Sequence, residues 1–256
     1  MKEKLQNTTN KLWSISAILG ILLLWQVICS LGIVDAFLLP SPVQVAKAFV
    51  DEFPALMEHG AITLAEALVG LAIGVVLGFF MALLMDHFPA MYKAFYPLIV
   101  VTQTIPTVAI APLLVLWFGY EMMPKVILIV ITTFFPLTVG LLSGFQSADK
   151  DAISLLRAMG ASKWHIFKYI KLPGAMPEFF SGLRISASYA VVGAVISEWL
   201  GGFYGLGVYM TRVKKAFAFD KMFAVIFLIS LTSLLLMKVV DLLQKLCMPW
   251  KKEEKE

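Results

Sequence analysis

The sequence predicts an all-α integral membrane protein, on three observations. It is 60% hydrophobic and 15% charged, with a mean hydropathy of +0.85, whereas a soluble domain carries about 25% charged residues. Its apolar residues fall in runs long enough to cross a bilayer, which takes about 20 residues per helix. Two of those runs carry small residues at every fourth position, the spacing that lets helices approach closely in lipid. The net charge of +4 is modest, and the cations lie beside apolar segments. Membrane topology therefore accounts for them better than a nucleic-acid partner does.

Residues 1–11 are polar and basic, and residues 12–33 form the first apolar span. The length of that run, and the lack of an A-x-A site before Asp35, argue for a retained helix rather than a cleaved signal peptide. Pro40-Ser41-Pro42 breaks the chain. From Val43 to Met57, apolar Val45, Ala48, Phe49, Phe53 and Leu56 recur at helical spacing opposite Asp51, Glu52 and Glu58. This predicts an amphipathic helix on the outer surface, with Ser41 and Gln44 spaced as a capping pair.

Residues 61–85 are the second span. Gly70, Gly74, Gly78 and Ala82 place a ladder of small residues on one face, and Glu66 lies on that face one turn earlier. Glu66 reads either as an interfacial carboxylate or as a residue of a transport path. The third span, 94–118, contains Pro97, Pro106 and Pro112. Such interruptions are tolerated where a helix faces protein or a water-filled cavity. Thr102, Gln103 and Thr104 precede Pro106, so polar side chains coincide with freed carbonyls. They are a candidate path lining; the alternative is a kinked packing helix. The fourth span, 125–145, contains Pro136.

Ser147–Arg184 is the longest polar interruption. Asp151 to Met159 reads as one short helix and Lys163 to Ile170 as another, with Gly160 as the stop between them. Pro173 and Pro177 are expected to end the second helix and start the next element. In the fifth span, 180–200, Gly182, Ser186, Ala190 and Ala194 form a second small-residue seam. Arg184 either snorkels to headgroups or ties the loop to the helix. Glu198 and Trp199 close this span, with Trp199 as an interface anchor. Residues 203–221 read as an outer loop carrying Arg212, Lys214, Lys215 and Lys221. In the sixth span, 222–246, Lys238 and Asp241 stand one turn apart and are placed to pair. The tail from Trp250 is charged and solvated. The expected organisation is 1–60 (N-terminal segment, first span, outer amphipathic helix), 61–246 (transport domain with the loop 147–184) and 247–256 (charged tail).

Lysine and arginine concentrate on the side holding both termini and the Ser147–Arg184 loop, among them Lys93, Lys150, Arg157, Lys163, Lys168 and Lys171. The positive-inside rule makes that side cytoplasmic. Cys29 and Cys247 form no ligand pattern, and His59, His87 and His165 are widely spaced, so a metal or redox site is unsupported. There is no G-x-x-x-x-G-K-[ST] phosphate loop and no nucleophile–base set. The chain is not expected to be an enzyme or to bind a cofactor.

Gly160, nine residues, Ile170, any residue, Leu172-Pro173 is similar to the tail of the "EAA" loop in permease subunits of bacterial ABC importers. The family's Glu-Ala-Ala falls on Ser154-Leu155-Leu156. QTIPTVAIAPLLVLWFG (Gln103 to Gly119), FFPL (Phe134 to Leu137), GLRIS (Gly182 to Ser186) and SEWLGG…GLG (Ser197 to Gly207) resemble the nitrate, sulfonate and taurine class. VVGAVISEWLGG…GLGVYM resembles the thiamine-precursor pyrimidine branch. The resemblance covers roughly the last three quarters of the chain.

It implies a type I ABC importer fold of six helices, working as a homodimer in the bacterial cytoplasmic membrane with both termini cytoplasmic. It also implies a coupling loop that seats on a cytoplasmic ATPase dimer, which uses ATP and Mg. The loop positions carried over are Ser154, Leu155, Leu156, Arg157, Met159, Gly160, Ala161, Ser162, Trp164, Phe167, Ile170, Leu172 and Pro173. An extracytoplasmic binding protein would deliver the solute, hydroxymethylpyrimidine or else a sulfonate, taurine or nitrate. Glu198 falls within the resembling region, as a gate or receptor contact. A rival class, an ion-coupled secondary transporter, would place carboxylates in mid-span; here the acidic residues mostly sit at span ends.

Overall fold

A computed structural model describes residues 2–35 and 37–250. The described residues form helices joined by short turns, and they divide into two compact units.

The smaller unit comprises Met1–Met57 and Tyr209–Leu228. Helix α1 (Lys2–Ser30) is apolar over Ile15–Ser30. Its Trp25 ring packs on Phe223 and Phe227 at 5.7 and 6.1 Å. Helix α2 (Pro42–Asp51) starts with a full capping box: Gln44 N–H donates to Ser41 Oγ, and Ser41 N–H donates to Gln44 Oε1 at 2.8 Å. It buries Val45 and Ala48. This amphipathic helix is shorter than the expected 43–57. Glu52 leaves helical geometry (φ −96°, ψ 9°) and directs its carboxylate to the Lys221 ammonium and the Tyr209 hydroxyl. The Lys221 contact holds the Glu52 carboxyl below the usual range. Burial, then Glu52, pushes the Tyr209 phenol up. The expected loop 203–221 is also corrected: it contains a helix, α10 (Leu206–Lys215), with Arg212, Lys214 and Lys215 in its last turn.

The larger unit comprises Glu58–Val208 and Ile229–Glu256. Its elements are most of α3 (Phe53–His87), α4 (Pro89–Thr102), α5 (Thr107–Phe118), α6 (Met122–Gln146), α7 (Lys150–Ala158), α8 (Lys163–Ile166), a π-helical turn (Phe167–Lys171), α9 (Leu172–Trp199) and most of α11 (Phe219–Cys247). Among the described residues, four helical stretches are long and apolar enough to cross a membrane: Phe53–His87, Met122–Gln146, Lys163–Trp199 and Phe219–Cys247. The expected third span is not one rod. Its halves, α4 and α5, meet at a 97° bend. Pro106 supplies no N–H there, and the Thr102 and Thr104 hydroxyls donate back to the Ile99 and Val101 carbonyls at 2.6 and 2.8 Å.

Close helix approach organises the core. A Cβ on Gly70 would come within 2.5 Å of Ile129 Cγ2, and one on Gly182 within 2.5 Å of the Pro136 carbonyl oxygen. Gly74 and Gly78 likewise face α6, at Thr133 and Leu137. The Ser186 hydroxyl donates to the Thr133 carbonyl at 2.9 Å. Ala82, Ala190 and Ala194 are fully buried. Helices α6 and α9 pack closely against one another, with Gly144 of α6 against Ala175 and Gly182 of α9 against Pro136.

Two further expectations are corrected. Pro173 and Pro177 do not separate two helices: helix continues through Lys163–Trp199. The π turn just before Leu172 widens the ladder, and Pro173 falls in the first turn of α9, where its missing donor costs least. Asp241 pairs with Arg184 rather than Lys238. Arg184 donates from Nε to Asp241 Oδ1 at 2.7 Å and from Nη2 to Gln244 Oε1 at 2.9 Å. The planar guanidinium spans both acceptors, so Arg184 ties α9 to α11.

Candidate functional site

The Ser147–Arg184 loop is ordered by its caps. Asp149 Oδ1 accepts from the N–H groups of Asp151 and Ala152 at 2.8 and 3.3 Å, starting α7. Gly160 ends it at φ +82°, a left-handed conformation with open space around the Cα. Ala161 N–H then donates to the Leu156 carbonyl at 2.9 Å. Ser162 caps α8, accepting from His165 N–H, and its hydroxyl lies 2.7 Å from His165 Nδ1.

The capped loop sorts its side chains by face. Leu155, Met159 and Trp164 are 64%, 74% and 65% exposed. Ser154, Arg157, Gly160 and Ser162 are exposed with them, whereas Leu156, Ala161, Phe167, Ile170, Leu172 and Pro173 are half-buried. Phe167 turns inward onto Phe145 at 5.6 Å, and Trp164 stacks over Phe167 at 5.7 Å. Lys171 Nζ reaches both Asp86 oxygens at 2.8 Å, fastening the loop's far side to the end of α3. A shallow cleft of about 400 Å³ runs along Leu156, Met159, Ser162, His165 and Tyr169. Three exposed apolar groups on a rigid, polar-rimmed platform suit protein recognition. The Asp86–Lys171 tie has no signal in sequence spacing, because its partners are far apart in the chain.

The candidate path residues fall in two places. Thr102, Gln103, Thr104 and Pro106 form the bend between α4 and α5, with Gln103, Thr104 and Pro106 exposed. Glu66 and Glu198 instead belong to a buried polar cluster. Lys125 Nζ donates to Glu66 Oε1 at 2.5 Å, with side-chain exposures of 7% and 6%. Thr63 donates to Glu198 Oε1 at 2.7 Å, and Gly207 N–H donates to Glu198 Oε2 at 2.6 Å. Leu206 N–H donates to Thr63 Oγ1 at 2.8 Å and Gly205 N–H to His59 Nδ1 at 3.0 Å. The linker after α9 is thus clamped to α3. Sequence reading missed His59, Thr63 and Lys125 in this cluster. A signal existed: His59, Thr63 and Glu66 stand at i, i+4 and i+7, a polar stripe on an apolar helix. Among the described residues no group of three or more His, Cys, Asp or Glu is placed to hold a metal ion.

Comparison with known proteins places this geometry in context. Residues 74–252 match the model of the family described as binding-protein-dependent transport system inner membrane component. The chain is 38% identical to the formylaminopyrimidine transport permease protein ThiX of Halalkalibacterium halodurans, over 92% of this chain and 94% of that one. It is 30% identical to a putative aliphatic sulfonates transport permease protein, SsuC, of Bacillus subtilis, over 90% and 84%. A solved structure of an amino acid ABC transporter with histidines superposes with a TM-score of 0.61 at 18% identity, covering 78% of this chain and 96% of that one. That likeness is one of fold.

Proposed function

The chain belongs to the binding-protein-dependent transport system inner membrane component family, and from that membership we propose that it is the permease of an ATP-driven importer for a thiamine-precursor pyrimidine. The observation that carries the reading is the exposed trio Leu155, Met159 and Trp164 on a doubly capped loop. In this reading a cytoplasmic ATPase dimer, using ATP and Mg, covers that trio and the surrounding positions from Ser154 to Pro173. Two copies of the chain face each other across the path, with Thr102, Gln103, Thr104 and Pro106 at the bend as lining. Six spans result when α1 and the bent α4–α5 pair each count as one, and both termini then lie in the cytoplasm. Residues 61–246 form the transport domain, between an N-terminal segment 1–60 and a tail 247–256. A binding protein delivers the solute from outside. The pyrimidine is favoured by the relative at 38% identity. A sulfonate is the second reading, favoured by the relative at 30%.

Uptake by intact cells with the gene present or deleted tests both. Labelled hydroxymethylpyrimidine, formylaminopyrimidine and taurine are offered in parallel. Loss of pyrimidine uptake alone is the expected result. Loss of taurine uptake alone moves the protein to the sulfonate reading, and no change in any of them removes the pyrimidine assignment.

A further inference from the structure

A second hollow lies between the capped loop and the end of α3. It holds about 610 Å³, within the roughly 300–1,000 Å³ of small-ligand sites. Its lining has two parts of different chemistry. Leu84 and Phe88 give it an apolar wall. Both are exposed, at the end of a helix long and apolar enough to cross a bilayer. Arg157, Lys163 and Lys171 give it a basic wall. Its one carboxylate, Asp86, is already engaged, since both of its oxygens accept from Lys171. Among the described residues no carboxylate pairs with Arg157 or Lys163. Three cations against one carboxylate therefore leave two positive charges in the hollow unmatched.

Position and charge together select the ligand. The end of a spanning helix lies at headgroup level, and basic pockets between helices there take anionic lipid heads. A free anion would leave the apolar wall bare. An acidic protein side chain would likewise have no use for Leu84 and Phe88. An amphiphile with an anionic head and acyl tails matches both walls. We propose that this hollow binds an anionic phospholipid, its phosphodiester held by Arg157 and Lys163 and its acyl chains lying along Leu84 and Phe88. The Arg157 guanidinium presents a planar fork to phosphate oxygens, and Lys163 adds a point charge. Arg157 stands in the last turn of α7 and Lys163 in the first of α8. One headgroup therefore joins both short helices to the end of α3, beside the existing Lys171–Asp86 tie. The inference rests on the hollow and on α3 crossing the bilayer, and holds whichever solute is carried.

Lipid titration onto the full-length protein in neutral detergent, read by native mass spectrometry, tests it. The probes are dioleoyl phosphatidylglycerol, dioleoyl phosphatidylcholine and inorganic phosphate. The wild type is expected to retain phosphatidylglycerol saturably and to release it to neither competitor. The double variant Arg157→Gln with Lys163→Gln should bind it about 30-fold more weakly, on the scale set by two cations near a membrane surface. Lys168→Gln removes a cation of the same loop that lies outside the hollow, and should leave the affinity unchanged. Arg157 and Lys163 are exposed, so the fold does not depend on them, and the wild-type comparison of the three probes needs no variant. Equal retention of the two lipids, or unchanged affinity in the double variant, overturns the site. Displacement of phosphatidylglycerol by equimolar phosphate makes the hollow a free-anion site and overturns the lipid. If the double variant keeps phosphatidylglycerol but loses the ATPase subunit, the two cations serve a protein contact and the proposal falls.

Discussion

Lys125 carries a charge to a depth where few residues do so, and its cost is met by Glu66. Removing one partner of a buried pair strands the other, at about 3–5 kcal/mol. Lys125→Ala is therefore expected to lower thermal stability of the detergent-solubilised protein sharply, and adding Glu66→Gln should recover part of the loss. Glu52 behaves differently, because it is partly exposed and its carboxyl is held below the usual range by Lys221. A depressed folded-state value means its contribution is present above the unfolded carboxylate range and disappears as pH falls through the folded value. The melting temperature of the wild type should fall more between pH 6 and 3 than that of Glu52→Gln. Neither pair is legible from spacing. The i, i+4, i+7 stripe of His59, Thr63 and Glu66 was readable in the sequence as a polar face. Lys125 stands at the first position of the fourth span, and such an end position gives no sign of its depth.

The elements were legible where a period carries the information. Four-residue spacing of glycine and alanine marks a face of close approach, and Gly70 and Gly182 sit where a side chain would strike α6. Gly182→Val is expected to cost about 1–3 kcal/mol by overpacking, measured as a lowered unfolding midpoint. Gly160 contrasts with it, since nothing surrounds its Cα and only its φ of +82° demands glycine. Gly160→Val should leave the unfolding midpoint of the helical bundle nearly unchanged while abolishing retention of the ATPase partner on purification. Normal retention would remove the loop from the docking role. Pro173 misled because a proline reads alike as the end of one helix or the first turn of the next. The π turn that lets helix pass through it is a geometric accommodation with no residue signature.

For the molecule as a whole, composition alone set the class, since an apolar excess of this size has no soluble solution. The 97° bend was half legible: three prolines announced an interruption, but their spacing carries no angle. If the exposed trio anchors an ATPase, Trp164→Ala should weaken that association by about 30-fold, as truncation of a central aromatic anchor does at about 2 kcal/mol. Titration of the purified ATPase onto the solubilised permease would measure it, and an unchanged affinity would place the contact elsewhere. The unbroken helix Lys163–Trp199 has a mechanical corollary. Its 37 residues make a moment arm of roughly 55 Å at about 1.5 Å rise per residue. One end carries Trp164 and the other Glu198, with helical backbone, including the π turn at Phe167–Lys171, running between them. A rotation of a few degrees at the platform end therefore reaches the clamped linker as roughly 3–5 Å of swing over that arm.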